Sequence, residues 1–129
     1  MEKWLGRYGD VIYTALRVVV GLLFACHGAQ KMLGAFGGHR ATDTQGMVAG
    51  TIELVGGLLI AVGLLTGFAA FLSSGLMAFA YFMVHAKGGF WPIVNKGELA
   101  VVYCFLFLYI AARGSGPYGL DALLRRRSP

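Results

Sequence analysis

The longest apolar stretch of the chain covers residues 47–84, and Glu53 is the one formally charged residue within it. As a single straight helix this stretch would be about 57 Å long, whereas the hydrocarbon core of a bilayer is about 30 Å thick. The stretch therefore predicts two membrane-spanning helices that fold back on each other, and we expect the break between them at Thr66-Gly67. This pattern is typical of an integral membrane protein.

Two further apolar stretches flank this pair. The first follows a short polar lead, and a glycine-rich polar loop, residues 34–46, separates it from the pair. The predicted spans are residues 11–31, 47–65, 68–85 and 97–113. Because the connections are short, we expect one all-α domain, residues 1–129, that forms an antiparallel four-helix bundle in the membrane. Residues 120–127 predict a short helix at the membrane interface.

Composition and charge support a membrane protein. Hydrophobic residues make up 57% of the chain and charged residues 13%, with a net charge of +5, and the mean hydropathy is +0.68. The basic residues lie at the ends of apolar stretches and not on one hydrophilic module, which argues against nucleic-acid binding. An even number of spans places both termini on one side, and that side carries the larger share of basic residues. The distribution therefore predicts cytoplasmic termini.

The N-terminus and the two cysteines invite other interpretations. Lys3 and Arg7, followed by an apolar stretch, imitate a signal peptide, but Arg17 interrupts that stretch and favours a retained span. Cys26 and Cys104 form no CxxC motif, and their predicted positions are too far apart for a disulfide. We therefore expect no zinc site, no other metal site and no dithiol redox centre in this chain.

Glu53 lies on a stripe of small residues along the second predicted helix. The stripe consists of Gly46, Gly50, Gly57 and Ala61, which share a face with Glu53 at helical spacing. Small residues on one face allow another helix to approach closely, so Glu53 should point into the bundle. A carboxylate at that depth costs free energy and typically marks a functional site. The alternative is a structural carboxyl group that only makes hydrogen bonds.

Three residues are candidates for catalytic proton handling: Glu53, His27 and His85. Carboxyl and imidazole groups are the side chains that most often exchange protons in proteins. Four residues are candidates for substrate binding: Arg17, Lys31, Trp91 and Glu98. If the polar faces of the predicted helices meet, then His27, Lys31, His85 and Glu98 gather near the non-cytoplasmic end, with Glu53 a turn or two deeper.

Arg17 belongs to the opposite half of the predicted bundle. We expect electrostatic coupling between Arg17 and Glu53 without a direct contact. Each of these polar residues also has a simpler interpretation. Arg17 could extend to the lipid headgroups, lysines such as Lys96 could anchor helix ends, and the histidines could be ordinary packing residues.

The order of short motifs along the chain resembles the DoxX family of small four-helix membrane proteins. The matching motifs are Arg17-x3-Gly21-x2-Phe24-x2-His27-Gly28-x2-Lys31, Glu53-x2-Gly56-Gly57 with Gly63 downstream, Phe90-Trp91-Pro92, Gly97-Glu98, Gly114-Ser115-Gly116-Pro117 and Leu120-Asp121. The resemblance covers nearly the whole chain. It implies a multi-pass protein of a bacterial or archaeal plasma membrane.

The resemblance also implies a class of function. Members of this family belong to an archaeal thiosulfate:quinone oxidoreductase and to a mycobacterial membrane oxidoreductase complex. The sequence contains no haem-attachment motif and no dinucleotide fingerprint, so we expect no covalently bound cofactor and consider quinone the candidate ligand. The expected partners are the lipid bilayer, a soluble or membrane oxidoreductase and a second copy of the chain.

Three functions are consistent with these observations. The first is a membrane subunit of a quinone-linked oxidoreductase, in which Phe90 and Trp91 line an entrance at the membrane interface. The second is a small transporter or channel, in which Arg17, Glu53 and Glu98 mark a polar path. The third is a non-catalytic assembly or anchoring protein, in which the charges specify helix packing. A bound quinone would distinguish the first function from the other two.

Overall fold

The computed structural model describes residues 1–128, and over that range every regular element is helical. Its helices, with their 3₁₀ and π turns included, are α1 (Glu2–Leu33), α2 (Thr44–Val62), α3 (Thr66–Gly88), α4 (Pro92–Asn95), α5 (Glu98–Arg113) and α6 (Leu120–Arg127). Three of them, α1, α2 and α3, are long and apolar enough to cross a membrane. Helix α5 has 16 residues, which corresponds to about 24 Å.

The break between α2 and α3 lies slightly before the predicted position. Gly63, with φ 74°, ends α2 in the left-handed conformation, and Thr66 already belongs to α3. The prediction of a break at Thr66-Gly67 is therefore wrong by about one helical turn. The physical reason is that a left-handed glycine satisfies the last carbonyls of a helix. Accordingly, the Gly63 N–H group donates to the carbonyl oxygens of Leu59 and Ile60.

The C-terminal helix α6 fastens this turn. The Asp121 carboxylate accepts hydrogen bonds from the backbone N–H groups of Leu65, at 2.8 Å, and Thr66, at 2.9 Å, and from the Thr66 hydroxyl at 2.8 Å. Its own N–H donates to the Gly63 carbonyl. Burial raises the pKa of Asp121, but the hydrogen bonds from Thr66 and Leu65 outweigh that effect and hold the pKa below its usual value. Asp121 thus caps α3 from a distant part of the chain.

Helices α1 and α2 pack backbone against backbone along the stripe of small residues. A Cβ atom at Gly57 would lie 2.5 Å from the Ala25 nitrogen and 2.6 Å from the Gly21 carbonyl oxygen. A Cβ atom at Gly21 would in turn lie 2.6 Å from the Ala61 nitrogen. Because only glycine fits at this separation, the stripe sets how closely the two helices approach.

Aromatic side chains join α1 to α5, and α5 packs along α3. The Phe24 ring lies 4.6 Å from that of Phe107, which stacks on Tyr103 at 5.4 Å. The Ser74 hydroxyl of α3 donates to the Cys104 carbonyl of α5 at 2.8 Å. Many large apolar side chains outside this core are exposed, as expected where the surrounding solvent is lipid. They include Phe68, Phe71, Leu72, Phe82 and Phe105.

Candidate functional site

An ion pair between a buried carboxylate and a partly exposed ammonium group joins α1 to α2. The Lys31 ammonium lies 2.6 Å from Oε1 of Glu53, and it also donates a hydrogen bond to that oxygen. Glu53 is 3% exposed, whereas the Lys31 side chain keeps 40% of its surface accessible. The second carboxylate oxygen of Glu53, Oε2, is buried and has no hydrogen-bond partner among residues 1–128.

The close approach of the helix backbones sets the geometry of this pair. A Cβ atom at Gly28 would lie 2.7 Å from the Gly50 carbonyl oxygen, so α1 and α2 nearly touch one turn away from Lys31. Lys31 lies in the last turn of α1, and Glu53 lies in the middle of α2. The short separation brings the ammonium group to the carboxylate. The glycines therefore position the charges as well as the helices.

Each of the two π-helical turns contains a candidate site residue. The turn Ile52–Gly56 contains Glu53, and the turn Tyr81–His85 contains His85. A π turn accommodates an extra residue and changes the direction of the side chains that follow, and such turns are frequent at functional sites. Both residues face the same cavity.

A cavity of about 280 Å³ collects four of the seven predicted site residues, namely His27, Lys31, Glu53 and His85. Its remaining lining consists mostly of apolar and aromatic side chains from α1, α3 and α5, together with Lys96. We refer to it as the Glu53 cavity. An apolar pocket with a few convergent polar groups is the usual form of a small-molecule site. The arrangement places one carboxylate and two imidazoles, which are groups able to exchange protons, around a mostly apolar space.

Two further residues of this cavity were not predicted as site residues. Tyr103 is buried on α5, and its ring lies 6.2 Å from the His27 ring in an edge-on arrangement. Lys96 lies between α4 and α5 in the left-handed conformation, with φ 61°, and was interpreted as a helix anchor. The apolar periodicity of α5 predicts that Tyr103 is a core residue, but it does not indicate that Tyr103 lines a cavity. Nothing in the sequence around Lys96 indicates that the chain turns toward the cavity.

Arg17 does not belong to this cavity. Its side chain is 1% exposed, and Nη1 donates to the carbonyl oxygens of Ile60, at 2.5 Å, and Ala61, at 2.6 Å. It therefore satisfies carbonyls at the C-terminal end of α2, which favours a cation. The alternative in which Arg17 extends to the headgroups is wrong because the guanidinium is buried against these carbonyls. Arg17 and Glu53 have separate partners, the carbonyls of Ile60 and Ala61 for Arg17 and the Lys31 ammonium for Glu53, and their electrostatic coupling stays a prediction.

Trp91 and Glu98 also lie outside the Glu53 cavity. Trp91 is 68% exposed and lines a separate apolar cavity of about 320 Å³ with Phe90. The two cavities share Met77 and Ala100 as wall residues. Glu98 is exposed in the first turn of α5 and does not join His27, Lys31 and His85. Its predicted place in that group is wrong because the first turn of α5 directs it outward.

Among residues 1–128, no group of three or more His, Cys, Asp and Glu side chains is placed to hold a metal ion. Cys26 and Cys104 are both free thiols.

The fold and this site define a class of protein: a membrane protein with several helices and a buried ion pair at an internal cavity. Residues 12–86 match the DoxX family, and the chain belongs to that family. The matched range includes the four predicted site residues that line the Glu53 cavity.

Two relatives illustrate what this chain is similar to. It is 43% identical over 125 residues to a Haemophilus influenzae protein described as "Uncharacterized protein", with 91% of this chain and 93% of the relative covered. It is 29% identical over 112 residues to the Bacillus subtilis protein named "Putative oxidoreductase CatD", with 82% of this chain and 81% of the relative covered. No solved structure matches the chain.

Proposed function

We propose that this chain is a membrane subunit of a quinone-linked oxidoreductase and that the Glu53 cavity binds the quinone head group. The observation that carries this proposal is the buried Lys31–Glu53 pair, which opens on an apolar cavity beside His27 and His85. Ionisable side chains at membrane depth typically mark pathways for protons, ions or substrates. The name of the Bacillus subtilis relative supports the same class of reaction.

The proposed chemistry assigns separate tasks to the partner and to this chain. Reduction of a quinone to a quinol takes up two electrons and two protons. We assign the electrons to a partner oxidoreductase. We assign to Glu53, His27 and His85 the relay of two protons from the aqueous phase to the quinone oxygens, so that each group takes up a proton before it donates one. Lys31 stabilises the ionised carboxylate and presents N–H donors where a quinone carbonyl would become negatively charged. The apolar walls exclude water and hold the flat ring.

The proposal places the protein in a bacterial or archaeal plasma membrane, with α5 as the fourth span of an antiparallel bundle. Val102, Phe105 and Leu108 of α5 are exposed apolar residues, as expected for a face in contact with lipid. With four spans, both termini lie on one side, together with Arg113 and Arg125. The excess of basic residues there favours the cytoplasm, and the Glu53 cavity then belongs to the opposite half of the bundle.

Quinone content tests this function directly. We expect solvent extraction and mass analysis of the purified wild-type protein to show near-stoichiometric quinone. Glu53→Gln keeps the side-chain shape but removes the charge that holds the Lys31 ammonium, the proposed donor to the quinone carbonyl, in place. A hydrogen bond to a charged group contributes about 1.5–3 kcal/mol, so quinone retention should fall by about tenfold or more.

Glu98→Gln is the matched control, because Glu98 is an exposed carboxylate outside the cavity. It should retain quinone as wild type does. A wild-type protein that contains no quinone, and that binds none when quinone is added, would contradict the proposed function.

A further inference from the structure

A second and larger cleft adjoins the ion pair. It has a volume of about 810 Å³ and lies between the N-terminal half of α2 and the C-terminal half of α3. Lys31 and Glu53 line both this cleft and the Glu53 cavity, and so do Met77 and Ala80. The two spaces therefore adjoin at the ion pair. We refer to the larger space as the α2–α3 cleft.

The cleft follows from how α2 and α3 are joined. The two helices meet at the turn fastened by Asp121, and near that turn they touch, since a Cβ atom at Gly56 would lie 3.0 Å from the Ser73 hydroxyl oxygen. The residues that line the cleft come from the other ends of both helices, from Thr44 to Glu53 and from Leu76 to Val84. The helices thus diverge away from the turn, and the space between them reaches inward as far as Glu53.

The lining of the cleft changes in character along its length. Asp43, Thr44 and Gln45 at the mouth are polar, as expected at the level of the headgroups. Val48 and Phe79 line the walls and are about half exposed on the surface that faces lipid. Glu53 lies at the inner end, with its Oε2 atom buried and without a partner. A molecule with a hydrocarbon chain and a hydrogen-bond-donating head group would fit this cleft. Its head group would meet the polar inner end, and its hydrocarbon chain would lie along the apolar walls toward the lateral opening.

We infer that the α2–α3 cleft is a lateral binding site for a membrane-resident molecule with a hydroxyl head group and a hydrocarbon chain. The hydroxyl donates to Oε2 of Glu53, which Lys31 leaves unpaired, and the chain lies between Val48 and Phe79. This inference rests on the proposed function, in which the molecule is a quinol with its isoprenoid chain. The cleft, at about 810 Å³, falls in the range of volumes that bind molecules of this size. If the cleft is part of the site, then binding depends on the hydrocarbon chain of the ligand as well as on its head group. The Glu53 cavity alone would recognise only the head group.

The test compares two variants of α2 that carry the same Val→Trp substitution at different positions. Val48→Trp adds an indole ring to the wall of the cleft and obstructs it. Val55→Trp is the control, because Val55 also lies on α2 but lines neither space. The two valines are similarly exposed, at 53% for Val48 and 51% for Val55. Val84→Trp repeats the obstruction from α3 in case Val48→Trp folds poorly. The probes are decylubiquinol, the reduced form that carries the hydroxyl groups, and the same quinol head with hydrogen in place of the hydrocarbon chain, both kept under anaerobic conditions. Binding to purified protein is measured by equilibrium dialysis.

We expect Val48→Trp and Val84→Trp to weaken binding of decylubiquinol by about tenfold, which corresponds to about 1.4 kcal/mol, and to leave binding of the quinol without its hydrocarbon chain within about twofold of wild type. Val55→Trp should change neither. Unchanged binding of decylubiquinol in both cleft variants, with wild-type binding intact, overturns the cleft and leaves the proposed function standing. Loss of a co-purified phospholipid from the cleft variants, with quinol binding unchanged, also overturns it. Failure of wild type to bind either probe overturns the proposed function and this inference together.

Discussion

Gly57→Ala is expected to lower the free energy of unfolding by about 3 kcal/mol, the upper part of the usual range for overpacked positions. The added methyl group would lie 2.5 Å from a backbone nitrogen and 2.6 Å from a carbonyl oxygen of α1. Neither atom can move without separating the two helices. Helix propensity alone would make alanine about 1 kcal/mol more favourable than glycine at this position. A net loss of unfolding free energy would therefore come from the packing clash. Unfolding of the purified protein in detergent, followed by circular dichroism, measures the change.

Gly75→Ala provides a control with the opposite sign. Gly75 lies within α3, and a Cβ atom there would meet nothing within 4 Å. We expect this variant to gain about 0.5–1 kcal/mol from helix propensity alone. If Gly57→Ala were as stable as Gly75→Ala, then α1 and α2 would not pack as closely as described.

Lys31→Met is expected to lower stability by about 2 kcal/mol. It removes the ammonium group and leaves the Glu53 carboxylate buried without its partner. Loss of one partner of a fully buried pair costs about 3–5 kcal/mol, and the effect here is smaller because 40% of the Lys31 side chain is accessible. The same unfolding experiment in detergent measures it.

The double variant Lys31→Met with Glu53→Gln separates charge from packing. It removes both charges, so its stability should return to within about 1 kcal/mol of the value for wild type, as replaced buried ion pairs often do. Additive losses in the double variant would mean that the two side chains do not depend on each other, contrary to the 2.6 Å contact.

The stripe of small residues determines both the fold and the site. Gly21 and Gly57 let the backbones of α1 and α2 meet, and the same approach brings Lys31 within reach of Glu53. A larger residue on this face would therefore separate the charges as well as the helices. In this protein, stability and the geometry of the site depend on the same positions.

Much of this arrangement follows from sequence patterns. The apolar stretch around Glu53 requires two helices, and the spacing of Gly50, Glu53 and Gly57 places the carboxylate on the face that packs against α1. The spacing of His27 and Lys31 places both side chains on the same side of α1. Which residues share a face of a regular helix depends only on their spacing in the sequence. These features can therefore be predicted from the sequence alone.

Other features depend on tertiary contacts and have no local signature. The π turns that contain Glu53 and His85 shift the helical period, which a regular pattern cannot show. Arg17 was predicted to bind substrate, but it binds the carbonyls of Ile60 and Ala61 because α2 ends beside it. The capping of α3 by Asp121 joins segments that are far apart in the chain.

A redox difference infrared spectrum of the purified protein with bound quinone tests whether Glu53 exchanges a proton with the quinone in its cavity. We expect reduction of the quinone to change the carbonyl band of a protonated carboxyl group in wild type, and this change should be absent in Glu53→Gln and present in Glu98→Gln. A quinone that binds and is reduced with no carboxyl band that depends on Glu53 would contradict this proton exchange.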